Sequence, residues 1–217
     1  MIKSSLKGKH VLVTAGPTHE PIDPVRFIGN RSSGKMGYAL CERLVQQGAF
    51  VTLVTGPTHI DLPSVRTIHS VQTAQQMYEK CIACFDNMDI AILAAAVADY
   101  TPKLVSDIKI KKKEGKMALE LIPTKDIAKE LGLIKKDNQL LVGFALETNN
   151  ELYNAKLKRQ KKNFDFIVLN SLQNKETCFG VDNNQIVIVD KDKELYFEQK
   201  SKKQVAKDII SHIESLL

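Results

Sequence analysis

An α/β doubly wound fold is what this 217-residue sequence predicts: a Rossmann-like, mostly parallel sheet with helices on both faces, forming one domain over residues 1–217 and carrying β-hairpin or arm extensions in its second half. Two observations predict it. Strand-like and helix-like segments alternate along the first half. The strand segments, such as "HVLVTA" and "MDIAILAAAV", lack a polar face, which suits strands covered by helices on both sides.

In order, "KHVLVTAG" is a short apolar run ending in Gly, a first strand. "GKMGYALCERLVQQGA" has apolar residues at helical spacing and Gly48 as a stop. "FVTLVTGP" and the shorter "VRTIHSV" are strands, "TAQQMYEKCIACF" is a helix, and "MDIAILAAAVADY" is a strongly apolar strand. The second half is less regular. "DIKIKKKEGKMALELI" alternates around "KEGK" and predicts a basic β-hairpin. "TKDIAKELGLIKK" is a helix with Thr124 as a candidate N-cap. "QLLVGFALET" and "FDFIVLN" are strands flanking the helix "NELYNAKLKRQKKN". "SLQNKETCFGVDNN" has no periodicity and predicts a long loop; "QIVIVDKDKELYFEQ" is a hairpin, and "KKQVAKDIISHIESLL" a closing amphipathic helix.

Composition excludes several classes. Hydrophobic content of 43% and charged content of 26% are ordinary for a globular protein. No run of about 18 apolar residues occurs, so no transmembrane helix is expected. The start "MIKSSLKGKH" lacks the apolar stretch of a signal peptide, and a cytoplasmic protein is expected. The net charge is +6, concentrated in "KIKKKEGK" (109–116) and "KLKRQKK" (156–162). Such clusters attract anions, but without interleaved aromatics or a binding-module motif they do not predict a nucleic-acid partner. "CIAC" (81–84) has redox or metal spacing but lies in a helical pattern with no second Cys/His pair, so plain thiols are expected at Cys41, Cys81, Cys84 and Cys178.

"GNRSSGKMG" (29–37) imitates the front of a P-loop. A P-loop needs a strand directly before its first Gly and a hydroxyl after its Lys. Here "PTHEPIDPVRFI" separates Gly29 from the first strand, and Met36 occupies the hydroxyl position, so the P-loop reading fails. An anion site of another kind remains. Ligands of open α/β sheets sit beyond the carboxyl ends of the strands, and "NRSSG" opens a helix there, whose N-terminus favours an anion beside Ser32 and Ser33. The alternative is that Ser33 only caps the helix. Small residues in "AAAVADY" (94–100) let a ligand approach the backbone closely at Ala95 and Ala96, next to Asp99. Periodicity alone also allows an NAD(P)-dependent oxidoreductase, against which the missing G-x-G-x-x-G counts, or a non-catalytic anion or nucleic-acid binder.

Five motifs in order, "VTAGPTHEPIDPVRFIGNRSSGKMG", "AAAVADY", "KIKK", "VGFALET" and "KLKRQKKNFDFIVLN", closely resemble the phosphopantothenate–cysteine ligase family, also called phosphopantothenoylcysteine synthetase. The match runs from about Lys9 to the closing helix. The resemblance implies a step of coenzyme A biosynthesis. CTP activates the carboxylate of 4′-phosphopantothenate as an acyl-cytidylate with release of pyrophosphate. The amine of L-cysteine then attacks, giving 4′-phosphopantothenoylcysteine and CMP. It also implies Mg²⁺, for which no ligand set is legible, and a homodimer. In many bacteria the ligase is fused to a phosphopantothenoylcysteine decarboxylase; nothing here resembles that half, so a free-standing ligase or an excised domain is expected, with the decarboxylase fused or separate and no nucleic acid or membrane as partner.

The resemblance carries roles onto single residues. Asn30 matches the active-site Asn that orients the acyl group, and Arg26 a candidate clamp for phosphate or carboxylate. Ser32, Ser33, Gly34 and the helix start would hold the pantothenate phosphate, beside Ala95 and Ala96. Lys109 matches the essential first Lys of "KIKK", a cation for the charge that develops during activation, with Lys111 and Lys112 as background. Asp99, Phe144, Lys158 and Lys162 match nucleotide-binding positions. One departure stands at "TKDIA": Thr124 and Lys125 replace the family's frequent Asn-Pro, while Asp126 and Ile127 are kept. Lys125, Asp126, Ile127 and Ala128 are expected on the base; backbone groups reading it would make the departure tolerable, whereas reading by the family's Asn side chain would change base selectivity here.

Overall fold

The computed structural model describes residues 4–112, 114–171 and 183–217. The chain begins with β1 (His10–Ala15), a small ladder of β2 (His19–Pro21) and β3 (Phe27–Gly29), α1 (Lys35–Gln46), β4 (Phe50–Thr55), β5 (Thr67–Ser70), α2 (Ala74–Phe85) and β6 (Ile90–Leu93). There follow β7 (Tyr100–Pro102), β8 (Leu121–Pro123), α3 (Ile127–Ile134), β9 (Leu140–Glu147), α4 (Glu151–Lys161) and β10 (Phe166–Ser171). The chain closes with β11 (Asn183–Asn184), β12 (Ile186–Val189), β13 (Glu194–Tyr196), β14 (Lys200–Ser201) and α5 (Lys202–Leu216).

One eight-stranded sheet in the order β13-β12-β10-β9-β6-β1-β4-β5 organises the molecule. Its strands pair in parallel from β10 to β5, whereas β12 and β13 add an antiparallel edge. The apolar strands have the expected cause. In β1, Val11, Val13 and Ala15 pack into the core under α1 and α5, while Leu12 packs on the opposite face against α2 and α3. Side chains alternate across a strand, so a segment covered on both sides needs apolar residues at every position. Helix starts obey local chemistry as well: Thr73 and Ser201 each form a capping box, with Gln76 and Gln204.

The fold differs from the sequence expectations in five places. The basic hairpin does not form around "KEGK"; Tyr100–Pro102 pairs instead with Leu121–Pro123, outside the lysine run, and Lys113 lies outside the described residues. Lysines at successive positions leave that stretch no apolar face to bury, and Ile108 stays 76% exposed. Thr124 does not cap α3; Asp126 does, accepting from Lys129 N at 3.0 Å. The strand expected across "MDIAILAAAVADY" ends at Leu93. The short β2–β3 hairpin inside "PTHEPIDPVRFI" is an addition. The expected loop "SLQNKETCFGVDNN" lies largely outside the described residues, and its last two residues, Asn183–Asn184, pair with β14.

Candidate active site

The loops after β1 and β6 meet beyond the carboxyl ends of the sheet. Pro17 and Ala96 form a single parallel bridge there, with Ala96 N donating to Gly16 O at 2.9 Å and Thr18 N to Ala96 O at 3.3 Å. Thr14 and Thr18 fix the same loop from below: their hydroxyl oxygens accept from Ala95 N at 3.2 Å and Ala98 N at 3.0 Å. Thr124 Oγ1 donates to Ala98 O at 2.6 Å and Thr124 N to Asp99 O at 2.9 Å. The floor of the site is thus hydrogen-bonded backbone with small side chains, the arrangement that lets a ligand lie close.

Two cavities open on this floor. One, of about 350 Å³, is lined by Asp99, Lys125, Asp126, Ile127, Ala128, Phe144, Lys158 and Lys162, together with Thr124 and Phe164. The other, of about 510 Å³, is lined by Asn30, Ser32, Ser33, Gly34, Ala95 and Ala96, and also by Arg31, Lys35 and Met36 at the start of α1. Ala95, Val97, Asp99, Phe144 and Lys158 border both. The structure therefore brings the expected nucleotide positions together in one cavity, except Lys109, and the expected substrate positions together in its neighbour. Lys109 and Arg26 line neither. Lys109 is exposed, and Arg26 forms an ion pair with Asp23 at 2.5 Å.

The second cavity is shaped by glycine. Gly34 precedes α1 at φ 75, in the left-handed region, and no side chain caps the helix. Ser33 does not act as a cap, and Ser32 Oγ accepts from Gly34 N at 3.3 Å. At Gly37 a Cβ would stand 2.5 Å from Ala15 Cβ, so α1 seats directly on β1 and its N-terminal amides meet the cavity. Met36, which replaces the P-loop hydroxyl, packs partly against the core. Asn30 Nδ2 donates to Val97 O at 2.8 Å and so ties its amide to the shared wall.

The first cavity carries Lys125, Lys158 and Lys162. Lys158 Nζ donates to Phe144 O at 3.1 Å, and burial pushes its pKa below the usual lysine value against the pull of Glu147. Lys162 pairs with Asp126. Burial alone would raise the Asp126 pKa, but hydrogen bonds from Lys162 and Lys129 N overcome it and hold the carboxyl below the usual range. Lys125 Nζ lies 4.6 Å from the centre of the Tyr78 ring. Elsewhere, burial pushes the thiols of Cys41 and Cys81 up to about 12, which suits inert core cysteines, while Cys178 lies outside the described residues.

Sequence reasoning missed Asn170, Asn184 and Lys202 on the wall of the larger cavity. Asn170 sits at the carboxyl end of β10, where the strand-end rule could have found it. Asn184 and Lys202 come from β11 and the first turn of α5, which no local signal ties to the site.

Comparison with known proteins matches residues 6–217 to the DNA/pantothenate metabolism flavoprotein C-terminal domain. A prokaryotic relative named cysteine/cysteine sulfinic acid decarboxylase is 53% identical over 98% of this chain and 60% of its own. The coenzyme A biosynthesis bifunctional protein CoaBC of Bacillus subtilis is 49% identical over 86% of this chain and 46% of its own. The chain thus spans about half the length of these curated relatives. The crystal structure of the C-terminal domain of a coenzyme A biosynthesis bifunctional protein CoaBC superposes with a TM-score of 0.83 at 42% identity, covering 98% of this chain and 97% of that one. With nearly its whole length matched, and with the site floor, helix start and lysine cavity assembled beyond the carboxyl ends of the central strands, this chain belongs to the family of DNA/pantothenate metabolism flavoprotein C-terminal domains.

Proposed function

We propose that this domain is a phosphopantothenate–cysteine ligase of coenzyme A biosynthesis. The observation that carries the reading is the shared wall of Ala95, Val97, Asp99, Phe144 and Lys158 between a lysine-lined cavity and one at a helix start. Two substrates, one in each cavity, would meet there. CTP occupies the first, its base near the start of α3 and the Phe144 ring and its phosphates towards Lys158 and Lys162. 4′-Phosphopantothenate occupies the second, its phosphate at α1 beside Ser32 and Ser33 and its carboxylate towards Asn30.

In the first step the carboxylate attacks the α-phosphorus. An acyl–phosphate bond forms, the α–β bridging bond breaks, and pyrophosphate leaves. Fixed cations stabilise the charge that builds on the phosphoryl oxygens and leaving group more in the transition state than in the ground state. Lys158 stands where the cavities meet, and Lys109 is the further cation for this role. In the second step the cysteine amine attacks the acyl carbon and CMP leaves; the Asn30 amide, already oriented by Val97 O, directs the mixed anhydride without adding charge.

Mg²⁺ fits this site as a companion of the triphosphate. It would take one or two carboxylates beside phosphates and water, and of the two cavity carboxylates Asp99 would serve, since Asp126 is paired with Lys162. Among the described residues no group of three or more His, Cys, Asp or Glu could hold a metal by itself. When bound, the ion neutralises charge on the phosphates. A homodimer in the cytoplasm completes the reading. Val25 at 59%, Leu104 at 80% and Ile108 at 76% exposure support a second copy as their cover, and no described helix is long and apolar enough to cross a membrane. The family resemblance implies a decarboxylase, fused or separate, as the enzyme acting on the product, and the bifunctional name of the relatives, whose chains are about twice as long, is in keeping with a fused second activity.

The test is pyrophosphate release with Mg²⁺, 4′-phosphopantothenate and cysteine, run with CTP and with ATP. Release that needs phosphopantothenate and CTP is expected. Release with ATP alone would keep the ligase and overturn the base. Silence with both would overturn the ligase. Because one relative is named a decarboxylase of cysteine, the same samples are checked for carbon dioxide from cysteine, and none is expected.

A further inference from the structure

Asp23 has a fully buried side chain in the turn between β2 and β3. Its Oδ1 accepts from Val25 N and Arg26 N, both at 2.9 Å, which holds the turn itself. Its Oδ2 does something else. It accepts from Arg26 Nε at 3.1 Å, from Arg26 Nη2 at 2.5 Å, and from the backbone N–H of Ile110 at 3.0 Å. Arg26 Nη2 also donates to Ile110 O at 2.9 Å. Both backbone groups of Ile110 are therefore held by two side chains, which replace the strand partner that this segment lacks. Ser106 N donates to Ile22 O at 3.0 Å and ties the same segment to the same turn. Lys109 and Lys111 flank the clipped residue.

We propose that Asp23 is a positioning residue for nucleotide activation: with Arg26 it clips Ile110 to the β2–β3 turn and so fixes the backbone that carries Lys109. The inference rests on the ligase reading and on Lys109 as a cation of its first step. It assigns Arg26 to holding the chain rather than to clamping a substrate anion, in keeping with its place outside both cavities.

The physical case has two parts. A carboxylate buried without compensation is costly, and Asp23 meets this with five donors, four from its own turn and the fifth the N–H of Ile110. That fifth bond, together with the bond from Arg26 Nη2 to Ile110 O, links the turn to a segment more than eighty residues later in the chain. The hairpin also carries Asn30 directly after β3. Three strand residues at about 3.3 Å each separate turn from strand end by roughly 10 Å. One short rigid element thus sets the distance between the group that orients the acyl half and the backbone that presents the cation. An exposed lysine on an unpaired loop would otherwise hold its ammonium poorly, and a displacement of about 1 Å at a reacting centre can cost on the order of a hundredfold in rate.

The experiment is a double-mutant cycle on pyrophosphate release, measured with CTP, Mg²⁺ and phosphopantothenate without cysteine, in wild type, Asp23→Asn, Lys109→Gln and the double variant. Asp23→Asn is expected to slow release between about tenfold and a hundredfold, with phosphopantothenate affinity by calorimetry within about twofold. The double variant is expected to be no slower than Lys109→Gln alone. Additive losses, an unimpaired Asp23→Asn, or weakened phosphopantothenate binding would each overturn the proposal. Arg26→Lys replaces Asp23→Asn in the cycle if the latter does not fold, because lysine keeps the charge but loses the planar fork that meets Asp23 with two nitrogens while reaching Ile110 O. Hydrogen exchange gives an arm that needs no activity. Amides 106–112 should lose protection in Asp23→Asn while β1 and β6 keep theirs, and unchanged protection would remove the clip. Wild-type release in Lys109→Gln would remove Lys109, and the positioning role with it. Absence of release in the wild type, with the exchange result intact, would keep the clip and overturn its link to activation.

Discussion

Replacing Lys158 by Met should separate activity from stability. The ammonium lies on the wall common to both cavities, bonded to Phe144 O at 3.1 Å, and its pKa is lowered chiefly by burial. A unit charge about 4 Å from a phosphoryl oxygen, at an effective dielectric constant of about 20, interacts by about 4 kcal/mol. Only the part that grows between ground state and transition state accelerates the step. Taking half gives about 2 kcal/mol, or roughly thirtyfold in pyrophosphate release. Stability should move the other way. Because the folded-state pKa of Lys158 is depressed, the unfolded chain binds more protons between the lowered pKa and the ordinary lysine value. Stability therefore rises with pH across that alkaline window, and below it the charged lysine is a burden on the fold. Methionine has similar length, carries no charge and removes both effects. Lys158→Met should melt no lower than wild type at neutral pH and lose the alkaline rise, while releasing pyrophosphate about thirtyfold more slowly. Stopped-flow release and thermal melts across pH give both readings. A rate within about threefold of wild type, from a protein that melts normally, would refute the placement of the triphosphate against this wall.

Asn30→Asp should fold normally but turn over on the order of a hundredfold more slowly, since a donor is replaced by a charge that repels an anionic intermediate; steady-state kinetics beside a melt checks it, and normal turnover would exclude Asn30 from the chemistry. Gly37→Ala should lower stability by about 1–3 kcal/mol, because its new methyl lands 2.5 Å from Ala15 Cβ; a chain of this size should then melt about 2–4 °C lower per kcal/mol. Asp126→Asn keeps a side chain able to cap α3 but loses the pair with Lys162. Since the Asp126 pKa is lowered, its contribution is present above the ordinary carboxylate value and disappears as pH falls through the folded-state value. The wild-type melting temperature should consequently drop more steeply in acid than that of Asp126→Asn; parallel acid limbs would show that the pair contributes nothing.

The core of this fold was legible because every sheet position from Val11 to Ala15 is buried, and two-sided burial leaves an apolar run that reads plainly. The helix start at Lys35 was legible for the same local reason, since its apolar spacing and Gly34 lie within a few residues. What stayed hidden was set by distant partners. The hairpin across "DIKIKKKEGKMALELI" was expected from alternation alone, yet alternation carries no strand when neither face has a surface to cover, and Leu121–Pro123 pairs with Tyr100–Pro102 instead. The β2–β3 ladder depends on a buried Asp23 whose partner Ile110 is remote in sequence. The nucleotide and substrate positions were reached through motif resemblance, and all but Lys109 and Arg26 meet around two cavities: loops after β1, β3, β6 and β8 supply most of them, β9 supplies Phe144, and α4 and its end supply Lys158 and Lys162. Asn184 and Lys202 join that end from β11 and α5, and no pattern within either segment announces it.

The bridge between Pro17 and Ala96 has an evolutionary consequence. Much of the common floor of the two cavities is peptide groups, and mutation changes side chains, not peptide groups. Apart from the side chains of the shared wall, Asp99, Phe144 and Lys158, selection can therefore retune this domain mainly from its rims: the first turn of α3 on one side, the starts of α1 and α5 on the other. The two rims lie on different elements and do not share a side chain, so a change of base preference need not disturb recognition of the acid. Descendants of this sequence could exchange one nucleotide for another while inheriting the acyl half intact.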